Sequence, residues 1–462
     1  SITLPYSMEA IENGAFYYCT KLESITIPHG IRVLRPFLFF GCNKLTSVVI
    51  PEDIVEIGEY VFAECSELVS IDIPKGVVSI GHRCYYNCIK LESIEIPAGI
   101  SIIEEGMFSL CSGLVSIEIP ENVTAIYQGA FSRCSKLVSI SLPKGLRSIM
   151  KSAFQYCSQL TAIIIPDSVQ TIGAGAFRGC SGIQELSIPD SVGSIEEGAF
   201  RGCSGLLSIN IPTEIEEIGD FLFSNCSGLT SLIIPPHITK IGMGAFDSCS
   251  GLTSLTIPER VTSIQPDTFR GCAKLESINI PSGVTSIGRE AFCGCTSLKS
   301  LIIPGGVTSI ERGAFSGCSS LESVNIPDGI VSIEDEVFCG CCALKSITIP
   351  ENVTAIGYDA FSGCLQIESI DIPDGVTTIN GNAFNGCGLT SISIPNSVKS
   401  IGSSAFANCK ELTSVTIGNG LKSMSILAFA YCAKLTNVYF NGTESPSSYS
   451  NAFMGCDALH SV

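Results

Sequence analysis

Tryptophan is absent from this chain of 462 residues, and histidine occurs only four times, at His29, His82, His237 and His460. These four are too widely separated for any pair to share a site, and no G-x-S-x-G, P-loop or H-E-x-x-H sequence is present. Nothing sets a base beside a nucleophile, so the sequence reads as that of a protein that is not an enzyme. Charge is sparse, at 15% of residues, and one sign dominates: 44 acidic residues against 26 basic give a net charge of −18, with no run rich in Lys or Arg. That balance disfavours nucleic acid and anionic lipid as partners. Long apolar runs are also missing, although 45% of the residues are hydrophobic and the mean hydropathy is +0.40. Every apolar stretch ends within a few residues at Pro, Gly or Ser, far short of the ~20 needed to cross a bilayer.

What is abundant is repetition. "CSGLTSLTIP" at 249–258 returns as "CSKLVSISLP" at 134–143, "CAKLESINIP" at 272–281 and "CSSLESVNIP" at 318–327. Aligned on the aromatic, the register runs Phe16, Phe39, Phe62, Tyr85, Phe108 and on to Phe384 in steps of 23 residues, with a cysteine three residues later from Cys19 to Cys387 and a proline of the same period from Pro5 to Pro373. The step slips only near the end, to 22 residues between Cys387 and Cys409, where "GCGLTS" lacks one residue, and to 24 between Cys432 and Cys456. A fixed period outweighs the usual length prior, so residues 1–462 are expected to form one continuous array. The chain opens on "SITLP" and closes on "CDALHSV", both pieces from inside the repeat. It is therefore expected to be a segment of a longer polypeptide, with no cap visible.

Within each repeat, Leu255 and Ile257 alternate with Thr256, the period of two expected of a strand that buries one face. Proline, lacking an N–H, then ends the strand. The following "VTSIG", as at 284–288, adds two inward aliphatics and a glycine where the path bends, and "AF" with the cysteine predicts a single helical or 3₁₀ turn. One repeat cannot bury its own apolar side, whereas about twenty stacked at the ~4.8 Å spacing of paired strands would bury a continuous core. The expected fold is a repeat solenoid with a parallel sheet on one face.

The pattern L-x-x-I-x-I-P-x-x-V-x-x-I-G-x-x-A-F-x-x-C resembles the BspA-like class of leucine-rich repeats, found in surface proteins of oral and gut anaerobes, treponemes and trichomonad protists. The resemblance covers essentially the whole chain. It departs at Tyr85, at Gly418 where proline is expected, and in the last unit, "LTNVYFNGTESPSSYSNAFMGC", whose "YFNGT" is similar to the family's terminal repeats. It implies a curved right-handed leucine-rich-repeat stack at the cell surface, used for adhesion and protein recognition without catalysis or cofactor.

Twenty of the 24 cysteines occupy the one repeat column. Equivalent residues on successive turns have parallel Cα–Cβ vectors, leaving their Cβ atoms near the full ~4.8 Å spacing, beyond the ~3.5–4.5 Å of a disulfide. A straight column cannot converge four thiolates on zinc. A ladder of buried thiols, each a small hydrophobe with a weak S–H donor able to satisfy a loop carbonyl, fits best, and the cysteine count then says little about redox compartment. Cys84, Cys293, Cys339 and Cys342 lie outside the column and read as free thiols near the surface.

The residue between the two strand aliphatics faces solvent and varies from turn to turn, through Asp72, Glu95, Glu118, Ile164, Asn210, Ile233, Asn279, Ile302 and Asn325 among others. A fixed interior with a variable exterior suits a recognition scaffold. Asp72, Glu95 and Glu118 fall on three consecutive turns, so like charges stand about 5 Å apart. The sharp reading is an acidic recognition patch or a weak Ca²⁺ site, and the plain one is a solvated edge that aids solubility. Ile164, Ile233 and Ile302 recur at three-turn intervals and are candidate partner contacts, too far apart to merge into one patch. A hydroxyl ladder of Ser24, Ser70, Ser116, Ser208, Ser254 and Ser300 raises ice or carbohydrate binding, but neighbours such as Glu92, Glu276, Lys299 and Glu322 roughen that surface, and turn-to-turn hydrogen bonds account for the serines. The symmetric stack also offers no cleft for a glycosidase-like carboxylate pair.

Sequons occur at Asn122, Asn225, Asn352 and Asn441, the first and third just after the strand-ending proline, where a glycan would be accommodated in a secreted eukaryotic chain. The expectation is an extracellular adhesion scaffold binding host or neighbouring-cell proteins through the solenoid face. The alternative is a rod or filament component assembling end to end through uncapped repeats.

Overall fold

The computed structural model describes residues 2–442, 447–448 and 451–460. It divides into two units, Ser1–Leu232 and Ile233–Val462. Each is a parallel β-solenoid in which a turn of about 23 residues pairs with the next in register.

In the first unit the strand anticipated before the proline appears as Ser24–Thr26 paired with Ser47–Val49, as Ser116–Glu118 with Ser139–Ser141, and as Glu185–Leu186 with Ser208–Ile209. A second strand column, not anticipated from the sequence, lies in the "V-x-S-I" segment. Its ladders are Val33–Leu34, Glu56–Ile57 and Ser79–Ile80, then Ile102–Ile103, Ala125–Ile126, Ser148–Ile149, Thr171–Ile172 and Ser194–Ile195. The second unit repeats the scheme, with Ser391–Ile394, Ser414–Ile417 and Asn437–Phe440 in the first column and a ladder in the second from Ser332–Ile333 through Ser423–Met424. The 22-residue step is absorbed without loss of register, since Thr378 and Ile379 pair with Ser400 and Ile401. The 24-residue step falls partly on residues outside the described ones.

The expected helical or 3₁₀ turn is not formed. Among the described residues no helix of any kind is present. The reason lies in the residues two before and two after the aromatic, which adopt positive φ: 55° at Ser152 and 59° at Tyr156 around Phe154. This left-handed geometry interrupts any helical run and alternates the direction of the N–H groups. Ser152, Phe154 and Tyr156 donate to the carbonyls of Ala174, Ala176 and Arg178 in the next turn, at 2.9, 2.7 and 2.6 Å, while Ala153, Gln155 and Cys157 donate to Met150, Ser152 and Phe154 within their own turn. A helix would keep all six bonds internal; here alternate ones join successive turns.

The interior is a set of stripes. In the first unit the rings from Phe16 to Phe223 stack with centroids 5.4–6.0 Å apart and planes within 15°. In the second those from Phe246 to Phe453 stack at 5.0–5.7 Å. Beside them runs the thiol column. Cys42, Cys65 and Cys88 donate Sγ–H to the carbonyls of Phe16, Phe39 and Phe62 at 3.0–3.2 Å, and Cys272, Cys295 and Cys318 do the same to Phe246, Phe269 and Phe292 at 3.1–3.2 Å. The same carbonyl accepts an N–H within its own turn, as Cys42 N does to Phe39 O, so both lone pairs are used. All 24 cysteines are free thiols. Burial pushes the Cys111, Cys157, Cys318 and Cys387 thiols up to about 12.

One off-column cysteine is not where the sequence reading put it. Cys84 is fully buried, because it occupies the slot before the aromatic that Ala130 and Ala153 fill in other turns. It accompanies Tyr85, whose hydroxyl is buried without a hydrogen-bond partner, the Cys84 thiol lying near it outside bonding geometry. Cys293, Cys339 and Cys342 are half-buried, as expected.

Candidate functional site

In the first unit the chain alternates in and out, turning Ile94, Ile117, Ile140 and Ile163 inward, each at most 8% exposed, and the residue that follows each of them outward. On that outward face lies a groove of about 1440 Å³, lined by Asp72, Glu95, Glu118 and Ile164 together with Lys75 and Lys144. The structure thus brings the three sequence-predicted carboxylates and one of the three predicted isoleucines to one surface. Ile164 is 83% exposed. Ile233 and Ile302 occupy equivalent positions in the second unit, 88% and 81% exposed, and do not line this groove.

None of the side chains of Asp72, Glu95, Glu118, Lys75 and Lys144 has an ion-pair or hydrogen-bond partner among the described residues. Elsewhere such charges pair across turns, as Lys90 does with Glu67 and Lys345 with Glu322, both at 2.6 Å. The two lysines escaped the sequence reading because they follow the strand-ending proline and were not aligned with the outward column. Among the described residues no group of three or more His, Cys, Asp or Glu side chains is placed to hold a metal ion.

In part of the outward column the exposed side-chain amide is already engaged by the preceding turn. Asn210 accepts the Ile188 N–H at 2.7 Å and donates to the Ile188 carbonyl at 2.7 Å, and Asn279 and Asn325 clasp Ile257 and Ile303 in the same way. In the ordinary arrangement the backbone does this, as where Ile27 N donates to Val49 O. These asparagines are therefore side-chain substitutes for a ladder bond. The turn-to-turn hydroxyl bonds come from the column one residue before the serines: Thr46, Thr161, Thr413 and Thr436 donate to the carbonyls of Glu23, Val138, Thr390 and Thr413.

His29 pairs with Asp53 at 2.9 Å and His82 with Glu59 at 2.8 Å, each across one turn and neither in the groove. The His29 hydrogen bond holds the Asp53 carboxyl below its ordinary value. The sequon residues Asn122, Asn225, Asn352 and Asn441 are all exposed. Asn352 donates to the Asp328 carbonyl at 3.0 Å and Asn225 to the Ser224 hydroxyl at 2.9 Å, and Thr443, which completes the Asn441 sequon, lies outside the described residues. No helix is long and apolar enough to cross a membrane, among the described residues.

The family model described as BspA type leucine rich repeat region matches residues 1–114, 78–195, 178–295, 262–389 and 377–462. Among solved structures, a leucine-rich repeat protein from Bacteroides ovatus is 26% identical with a TM-score of 0.49, over 80% of this chain and 81% of that one. A leucine rich cell surface protein from Faecalibacterium prausnitzii is 26% identical with a TM-score of 0.40, over 91% and 88%. A leucine-rich repeat protein from Eubacterium ventriosum is 25% identical with a TM-score of 0.45, over 69% and 83%. No curated protein matches the chain.

Proposed function

The chain belongs to the BspA type leucine-rich repeat family, and on that premise we propose that it is a non-enzymatic protein-recognition scaffold of a cell surface, engaging host or neighbouring-cell proteins through the outward face of its first unit. The observation that carries the reading is the groove in which Asp72, Glu95 and Glu118 stand unpaired beside the exposed Ile164. Unpaired like charges on adjacent turns repel one another, and a basic partner relieves that repulsion. Ile164 adds an apolar contact at the end of the row, and Lys75 and Lys144 fix the register of a partner that carries both signs. The preferred ligand is a protein segment with basic residues followed by an apolar one.

The test is a binding screen against extracellular-matrix and cell-surface proteins, repeated with Asp72, Glu95 and Glu118 changed to Ser. A ligand whose affinity falls at least tenfold in the variant supports the groove. A ligand bound equally well by both proteins removes the groove from the reading, and a screen without any protein ligand removes the adhesion role.

A further inference from the structure

A second surface of the first unit carries arginines that lie over aromatic rings. Arg133 lies with its guanidinium carbon 5.1 Å from the centre of the Tyr156 ring, Arg178 lies 5.9 Å from the same ring, and Arg201 lies 5.1 Å from that of Phe221. All five residues sit on the turn segments that flank the aromatic column, and none lines the groove. No carboxylate or carbonyl accepts from any of these three guanidiniums, among the described residues. The other arginines divide: Arg83 pairs with Glu105 at 2.9 Å, Arg270 with Glu290 at 3.3 Å, Arg289 with Asp267 at 3.5 Å and Arg312 with Glu336 at 2.6 Å, whereas Arg32, Arg147 and Arg260 have no ion-pair partner among the described residues. What sets Arg133, Arg178 and Arg201 apart is that each lies over an aromatic ring without a carboxylate partner, whereas Arg83, which lies over the Tyr60 ring, is paired with Glu105.

Their spacing follows the stack. Arg133, Arg178 and Arg201 belong to turns whose core rings, Phe131, Phe154, Phe177 and Phe200, are separated by steps of 5.4, 5.4 and 5.8 Å. Contact with an aromatic face restrains each guanidinium without using its N–H donors, which leaves planar forks pre-ordered for bidentate contact with sulfate or carboxylate groups. Tyr156 is 37% exposed and offers ring surface between the charges.

We propose that this ridge binds a linear acidic polysaccharide, laid along the turns with its sulfate or uronate groups on Arg133, Arg178 and Arg201 and a sugar ring against Tyr156. The partner must be thin. A bilayer or a nucleic-acid duplex would bring its anionic surface against the acidic remainder of the molecule as well, whereas a single polysaccharide strand touches the ridge alone. The site is separate from the groove, so it is independent of the protein-recognition reading.

The experiment measures binding of the whole chain to immobilised heparin, with unsulfated dextran and polyglutamate as comparisons. The expected result is salt-sensitive binding to heparin, none to dextran, and a loss of at least tenfold in the triple variant Arg133→Asn, Arg178→Gln, Arg201→Gln. The variant Arg35→Gln, Arg289→Gln, Arg312→Gln, in which carboxylate-paired arginines are changed, binds as the parent does. Independently of any variant, heparin protects Arg133, Arg178 and Arg201 of the native protein from phenylglyoxal, read by mass spectrometry. Absence of heparin binding, unprotected arginines, or equal loss in both triple variants overturns the proposal. Polyglutamate bound as tightly as heparin also overturns it, in favour of an acidic peptide.

Discussion

The Cys134 thiol donates a hydrogen bond to the carbonyl oxygen of Phe108, 26 residues earlier, at 3.1 Å. The same link recurs along each unit, tying every turn to its predecessor through a fully buried group. Changing Cys134 to Ala removes the donor and leaves a small void, while Phe108 O still accepts the Cys111 N–H. Denaturant unfolding is expected to show a loss of about 1–2 kcal/mol, the sum expected of one modest hydrogen bond and a cavity of one sulfur atom.

Stability should fall at alkaline pH. Burial raises the folded-state value of Cys111, Cys157, Cys318 and Cys387 to about 12, above the ordinary 9.0, so the native state holds these protons after the unfolded chain has released them. The thiols' contribution is complete below the unfolded value and is lost as pH rises toward 12, at about 1.4 kcal/mol per thiol per pH unit once the unfolded thiol ionises. Urea midpoints are expected to stay level from about pH 6 to 8 and drop steeply above about pH 9. Cys111→Ala should make that drop shallower by one thiol's share, and an unchanged slope would show that this thiol ionises as readily in the native state as in the unfolded one.

Tyr85 carries the only hydroxyl recorded in the ring column of the first unit, buried and unbonded. Tyr85→Phe restores the side chain used in neighbouring turns and removes a desolvated polar group. A gain of about 1 kcal/mol is expected in thermal or denaturant unfolding, and a loss would mean that the Cys84 contact is a genuine bond.

Asn325 holds Ile303 at both its N–H and its carbonyl, at 2.7 and 2.8 Å. Asn325→Ala should cost about 1–3 kcal/mol by leaving two backbone groups without that partner. Hydrogen exchange should accelerate at the Ile303 amide first, whereas a residue that only faced solvent would leave that amide unaffected.

Gly179 has a φ of +74°, and a Cβ there would collide with the Tyr156 ring lying over it. Gly179→Ala should therefore cost more than the about 1–2 kcal/mol of a left-handed non-glycine residue, and Tyr156→Ser should recover the excess but not that backbone part. Fully additive single and double variants would show that ring and glycine do not meet.

Much of this architecture is legible in the sequence, because a strict period places equivalent residues over one another. The Phe and Cys stripes and the outward position of Asp72, Glu95, Glu118 and Ile164 follow directly. The second strand column is hidden because most of its strands are two residues long, too short for alternation to register, as at Ser148–Ile149. The false helical turn arises because A-F-x-x-C has helical spacing, while the positions of positive φ are glycine in some turns, as at Gly129 and Gly179, and other residues in others, as at Ser152 and Tyr156. Cys84 is misplaced because its slot belongs to alanine in other turns, so leaving the cysteine column does not mean leaving the core. Asn210, Asn279 and Asn325 look like surface variation because their clasp on the preceding turn depends on side-chain direction. The arginine ridge is invisible for a related reason, since the contacts of Arg133 and Arg178 with the Tyr156 ring and of Arg201 with the Phe221 ring depend on side-chain direction.

The stack of turns rests on side chains of the cysteine column acting as hydrogen-bond donors, which requires every sulfur to be reduced. Unfolding the purified chain in denaturant without any reductant, alkylating it and weighing it intact tests this most directly. The expected mass corresponds to 24 modified thiols. A deficit of two or more alkyl groups, with the missing cysteines mapped to adjacent turns of the column, would contradict it.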